Sequence, residues 1–417
     1  MRNHPETRVS DHPAAIPLRH GAGLEHARRA SRGLRWLTPG DPEPSASHWQ
    51  ALGTALNEGD PVADALARWM SEQGMGAAMP LFEHALTEGI AAVPNAPAAL
   101  RAFFAAVDAR PAWIDDTLMA EGARACHRAG LAGLFALRDL SLMGGYQASA
   151  INQTLLRTGD LTRGTQRRLA ETTLWWLDCT AVGGMARHRA GFQGTLRVRV
   201  IHALVRRRLL ATPEWSVANL GLPINQVDMQ ATYLAFSVLF LLGQRALGVP
   251  VDASDARAVM HLWRAIGWAM GVDECWLSHS EGEGRVALYQ NLLSQAPPDA
   301  SSALMGRALM DEPLHRPYAR FATLRRHFEH ARHLSLDRYF LGRAGMKTLG
   351  LPDKVLPWYP LISAPCNAAW HLSQRLAPSG RERLARRGRA AQLAYLKDLF
   401  GAESPRLRHL DAAPRAG

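Results

Sequence analysis

Side chains able to do chemistry gather on a few segments with helical spacing. In residues 196–210, LRVRVIHALVRRRLL, His202 falls on an apolar stripe with Val198, Val205 and Leu209. Arg199 lies three residues before it and Arg206 four after, on an adjacent face. A neutral imidazole is a good iron ligand. Two guanidiniums beside it suit a cofactor bearing two carboxylates, as haem does through its propionates. A core histidine hydrogen-bonded to a carbonyl accounts for the same spacing, and the residues alone leave both readings open. Alternation in residues 196–201 also fits a strand, but the continuing 3.6-residue pattern, stopped by Pro213, favours a helix.

In residues 163–179, RGTQRRLAETTLWWLDC, Arg168, Thr172, Trp175 and Cys179 share a stripe, with Trp176 beside it. A guanidinium and a hydroxyl on an aromatic-rich face need partners when buried. Either they wall a site, with Arg168 taking an anion or polar substrate, or Arg168 pairs with a distant carboxylate. Glu171 follows Arg167 by four residues, the spacing of an exposed helical ion pair. His261 is a second candidate ligand, with Arg264 at i+3 and Trp268 at i+7; a helix that packs Leu262, Ile266 and Met270 inward fits equally. His315, His327, His330 and His333 have no HExxH companion, and His127 beside Cys126 is a weak signal.

The elements that must position these groups read as helices. Ala, Leu and Arg dominate the 417 residues and β-branched runs are few, so an all-α fold is expected. Caps and breakers divide the chain. Gly59-Asp60-Pro61 starts one helix, Pro80 leads into another, Ala96-Pro97 starts a third, and Asp115-Asp116 caps a fourth. Further helices are expected over 131–158, 163–179, 196–210, 225–247, 254–270, 286–293, 313–331, 336–349, 364–376 and 381–400. Residues 1–45 are read as a mobile basic arm, with one short helix at 23–37. Residues 46–400 are read as one catalytic domain without an internal repeat, and 401–417 as a tail.

Net charge is +11 with a pI near 10.1, which invites nucleic acid, an acidic surface or an anionic cofactor. The charge is dispersed and no array of stacking aromatics accompanies it, which argues against nucleic acid. Cys126, Cys179, Cys275 and Cys366 lack CxxC spacing, which fits reduced thiols. There is no Walker loop, GxSxG elbow or GxGxxG after a strand. The apolar run 231–243 holds 13 residues, short of the roughly 20 a membrane span needs. Arg28-Arg29 is not followed by an apolar signal stretch, so a cytoplasmic location is expected, or a secreted one for a chain whose natural signal is missing.

Taken in order, Gly59-Asp60-Pro61, RPAWIDD (110–116), RLAETTLWWLD (168–178), RVRVIHALVRRRLL (197–210), PEW (213–215), LPINQVD (222–228) and HLWRAIGWAMGV (261–272) resemble the rubber oxygenases, or latex clearing proteins. They resemble too the wider oxygenase family these share with a fungal endoplasmic-reticulum-bound oxygenase. The likeness runs through roughly residues 50–300. It implies a helical domain with a globin-like core and extra helices, one b-type haem, and dioxygen-dependent cleavage of an isoprenoid C=C bond. Rubber oxygenases cut cis-1,4-polyisoprene into fragments with aldehyde and ketone ends. The resemblance makes His202 the axial iron ligand with Arg199 beside it, and places Arg168 and Thr172 on the opposite side of the haem. Arg206 and Arg264 are further candidates for the propionates. The second ring nitrogen of His202 is expected to donate to a carbonyl or carboxylate. The apolar residues 233–242 offer a wall for a hydrocarbon, or plain core.

Two positions depart from the family pattern. Glu171 stands where rubber cleavers can carry a lysine. The glutamate base on their preceding helix has no counterpart, because residues 131–158 hold Asp139 as their only carboxylate. Gln147, Asn152 and Gln153 lie near the expected depth, and a neutral amide cannot abstract an allylic proton. An intracellular family oxygenase for a smaller isoprenoid or lipid, and a non-enzymatic haem protein, are the alternatives.

Overall fold

Capping side chains set where many of the helices in the computed structural model begin. The structure describes residues 15–158 and 161–401; helix makes up 73%, and no strand occurs among the described residues. The all-α expectation therefore holds.

Residues 15–45 correct the expected mobile arm. They carry α1 (Leu24–Ala30) and α2 (Arg32–Leu37), broken at Ser31. Arg19 donates to Asp228 at 2.5 Å in a buried ion pair, and Ala27 packs on Tyr289 and Leu293. A composition rich in Pro, Gly and Arg suggested mobility, but a distant carboxylate and an apolar seat dock the segment. Residues 1–14 of the arm and 402–417 of the tail lie outside the described residues.

Next come α3 (Ala46–Ala55), α4 (Pro61–Gln73), α5 (Met75–Glu88) and α6 (Ala98–Asp108). Asp60 caps α4 by accepting from the Ala63 N–H at 3.2 Å, with Pro61 in the first turn, where its missing N–H costs nothing. Pro80, expected to start a helix, sits inside α5 instead. Then α7 (Asp116–Arg128), capped by Asp115, leads to α8 (Gly130–Phe135), a π-helical turn (Ala136–Leu142) and α9 (Met143–Gly145). The middle of the chain supplies α10 (Ser149–Thr158), α11 (Leu161–Cys179), α12 (Ala190–Leu210) and α13 (Val217–Leu220).

The expected helix over 225–247 is α14 (Gln226–Leu234), a second π-helical turn (Ala235–Leu239) and α15 (Phe240–Ala246). The two π turns touch, with Ser141 Oγ donating to the Ala235 carbonyl at 3.0 Å. After them run α16 (Ala253–Ala269), α17 (Glu281–Ser294), α18 (Ala300–His315), α19 (Ala322–Thr348), α20 (Trp358–Arg375) and α21 (Gly380–Phe400). Pro313 ends α18 rather than starting a helix, because Asp299 caps α18 much earlier.

Two cores flank α12. On one side Leu196, Val200 and Ala203 pack on Leu66, Met70, Phe82, Phe103 and Phe104 of α4, α5 and α6. On the other, Val198 meets the main core. Within that core α7 and α16 approach closely at Gly122, where an added Cβ would lie 2.4 Å from the Ala258 carbonyl oxygen.

Candidate functional site

Two acids one turn apart on α4 fix α12 in place. Asp60 receives Arg199 Nε at 2.6 Å and Nη2 at 3.0 Å, and Asp64 receives Arg206 Nη1. Arg206 also donates to the carbonyls of Pro223 and Ile224, at 3.0 and 2.8 Å. Residues i and i+4 on one helix thus engage i and i+7 on its neighbour, and both arginines are buried. Arg199 and Arg206 were candidates for haem propionates by their spacing around His202. Their guanidiniums are already neutralised by carboxylates whose role the sequence did not reveal.

That clamp orients the next face of α12. His202 is enclosed by protein, yet it keeps intermediate exposure, as do Val198, Ile201 and Val205 around it. Partial exposure along this one face, on a helix otherwise packed between two cores, marks it as the side from which a ligand could be reached, and it is taken as the wall of the candidate cleft. Leu155 and Leu156 of α10, Leu174 of α11 and Phe236 and Leu239 near the second π turn share that intermediate exposure against the main core. The His202 ring makes no hydrogen bond among the described residues. Its Nδ1 is buried without a partner, so the expected carbonyl or carboxylate acceptor is absent there. Burial, with Arg206 adding and Asp60 opposing, pushes its pKa down to about 4. The imidazole is neutral at pH 7, with its lone pair free for a metal.

The partner wall is α11. Trp175 Nε1 donates to Thr195 Oγ1 at 3.0 Å, and Cys179 Sγ lies 3.6 Å from the Gly191 carbonyl. Those pairs define an antiparallel hairpin of α11 with α12. Counting back along it sets Thr172 level with Val198 and Arg168 level with His202. The pinned end is buried; Arg168 is half-buried and Thr172 exposed. Arg168 reaches Thr165 Oγ1 at 3.4 Å and pairs with no carboxylate among the described residues. Glu171 does bond Arg167, at 2.7 Å, as its four-residue spacing predicts.

Aromatic rings close the cleft toward the core. Phe236 stacks on Trp263 with centroids 4.9 Å apart, and Trp175 meets both edge-on. Near them Arg264 is 9% exposed and makes no hydrogen bond or ion pair among the described residues. Its guanidinium lies 3.8 Å over the Trp113 ring. A buried cation without a counterion is costly, and its usual justification is an anionic ligand. Sequence reasoning proposed Arg264 only third, and missed Trp113.

Three of the other histidine candidates are occupied. His261 Nε2 accepts from the Asp115 N–H at 3.0 Å, and His127 Nε2 lies 2.7 Å from the Thr180 carbonyl. His333 Nδ1 lies 2.8 Å from Asp139. Asp139 is thereby locked with Arg138 and His333 in a fully buried cluster, and its pKa is raised to about 6 by burial against the pull of Arg138. Among the amides at the expected base depth, Asn152 donates to the Tyr146 carbonyl and Ser301, Gln153 to Asp299, and Gln147 to the Gly144 carbonyl. No cluster of three or more His, Cys, Asp or Glu suited to a metal exists among the described residues.

The residues fit a haem-type group on three counts. The His202 imidazole has no protein partner, the buried Arg264 guanidinium lacks a counterion, and the surrounding walls are apolar. This defines the class: a helical protein with an unpartnered imidazole, that of His202, on an apolar helix face between a pinned helical hairpin and the core. Residues 124–370 match the family described as ER-bound oxygenase mpaB/B'/Rubber oxygenase, catalytic domain; the match covers more than half of the chain, which belongs to that family. The chain is similar to the rubber oxygenase of Streptomyces sp. (strain K30), 25% identical over 183 residues. That alignment spans 43% of this chain and 44% of the relative, so less than half of the relative's length is matched. The fold is similar to the structure of latex clearing protein LCP in the closed state, with a TM-score of 0.59 at 19% identity, covering 81% of this chain and 91% of that one.

Proposed function

We infer that the chain is a haem-dependent oxygenase that cleaves the C=C bonds of an isoprenoid hydrocarbon, with cis-1,4-polyisoprene as the leading substrate. The carrying observation is His202, a neutral imidazole enclosed in an apolar cleft with no hydrogen-bond partner. A b-type haem bound there would supply the iron redox chemistry for reaction with dioxygen. The protein's own residues do the rest. His202 would hold the iron, and α4 fixes its helix through Asp60 and Asp64. Arg264 would neutralise a propionate. Arg168, level with His202 on α11, offers N–H donors to a polar atom in the cleft, and Thr172 a hydroxyl. Val198, Ile201, Val205 and Phe236 exclude water and give an alkene apolar area to bury. Splitting C=C with one dioxygen puts one oxygen atom on each former alkene carbon, giving the aldehyde and the ketone without an external reductant.

A second reading, a smaller isoprenoid or lipid, rests on the acids. Asp139 is sealed in its own cluster and Glu171 is paired with Arg167, so neither can serve as base for an allylic proton. Reaction of the purified protein with latex and with short terpenoids, followed by detection of carbonyl products, separates the two. The haem reading is tested by reconstitution. A Soret band is expected that is lost or shifted in His202→Ala. Full haem content with an unchanged band in that variant removes His202 as ligand.

A further inference from the structure

Helix α20 is turned inside out. Its inward residues are Pro360, Ser363, Asn367, His371 and Gln374, mostly polar. Its outward residues are apolar: Leu361 is 60% exposed, Ile362 61% and Leu372 58%, and Leu376 just beyond it is 81% exposed. No Asp, Glu, Lys or Arg occurs between Val355 and Gln374. Ordinary surface helices have the opposite polarity. Beneath α20 lies a cavity of about 280 Å³ bordered by Arg128, Ser363, Asn367 and His371, so the polar face covers a space able to hold water. The apolar surface continues onto the first turns of α19. There Phe321, Leu324 and Phe328 are exposed on one face, and the Phe328 ring sits 6.0 Å from Trp358.

Cations border this surface. Between Arg375 and Lys397, Glu382 is the sole carboxylate against six arginines and a lysine, of which Arg375 and Arg381 are paired with Asp252 and Asp255. Arg386 and Arg387 are exposed and pair with no acid among the described residues, and Arg387 lies 5.3 Å over the Trp370 ring. Exposed apolar side chains, a Trp at their edge and a rim of arginines are the composition of a helix that lies in a membrane interface. No helix among the described residues is long and apolar enough to cross a membrane. A second copy docked by a two-fold axis would set the unpaired Arg386 and Arg387 against the same arginines of its partner. The charge complement is an anionic surface.

We propose that α20, with the first turns of α19, docks this protein onto an anionic lipid bilayer. Leu361, Ile362, Leu372 and Leu376 enter the acyl boundary, and Arg386 and Arg387 meet the phosphates. The docking is independent of what the His202 cleft binds. Flotation of the full chain with phosphatidylcholine vesicles, with and without phosphatidylglycerol, tests it. Binding is expected to the anionic vesicles and to weaken with salt. Arg386→Ala/Arg387→Ala should lower partitioning about 25-fold, at about fivefold per guanidinium near an anionic surface. Leu361→Asp/Ile362→Asp should lower it on the order of 100-fold with an unchanged melting curve, because both side chains are exposed. Three outcomes overturn the proposal: no binding to either vesicle, equal binding to both with no effect of the arginine pair, or no vesicle binding with a concentration-dependent dimer that the Asp pair abolishes.

Discussion

Replacing Asp60 by Asn isolates the ion pair that aims His202. Asn keeps a side-chain oxygen for the Ala63 N–H, so the helix cap survives and only the charge is lost. Arg199 then stays buried with its ion pair lost, keeping the Ala269 carbonyl at 3.4 Å and the Phe103 ring at 5.4 Å. Breaking one side of a buried pair costs about 3–5 kcal/mol. The Arg199 and Asp60 side chains are 10% and 5% exposed, which favours the lower end, about 3 kcal/mol. An unfolding entropy of about 2.1 cal/mol/K per residue gives about 0.9 kcal/mol/K for this chain, so the melting midpoint should fall about 3–4 °C. Differential scanning fluorimetry reads such a shift. Asp60→Asn/Arg199→Met removes both charges and should recover most of it, because an apolar replacement of a buried pair is close to neutral. A fall below about 1 °C, or a double variant no more stable than the single one, would refute the reasoning.

Other perturbations probe other links. The pKa of His127 is lowered to about 4 by burial, with Arg389 adding and the Thr180 carbonyl opposing. The unfolded chain therefore binds the extra proton first, and stability should fall as pH drops from about 6.5 toward 4. Urea melts of His127→Gln should show a shallower acid slope; an identical slope would rule out that contribution. Gly122→Ala drives a Cβ to 2.4 Å from the Ala258 carbonyl oxygen and should cost about 1–3 kcal/mol by forcing α7 off α16. An unchanged urea midpoint would show that the helices can part freely. Arg264→Met should weaken haem binding about tenfold in a spectroscopic titration, while the cofactor-free protein melts within about 1 kcal/mol of the parent. Equal haem affinity would remove Arg264 from the propionate site.

Local physics in the sequence determined the helices and several of their ends. Asp60 and Asp115 cap where their types and positions indicate, and the Glu171 bond to Arg167 follows from a four-residue spacing. The apolar stripe through Val198, His202 and Val205 was legible for the same reason: helical periodicity is a local property. Partners far along the chain were not. Asp60 meets Arg199 across 139 residues, Arg19 meets Asp228 across 209, and Asp139 meets His333 across 194. Each is a choice among many acids and bases that only packing makes. The tertiary structure thus decided that Arg199 and Arg206 clamp α12, that Arg264 is buried without a counterion among the described residues, and that a segment read as a mobile arm is docked. It also decided which face of α20 points outward. Amphipathic spacing fixes that a helix has two faces, but which one meets solvent depends on the surfaces around it.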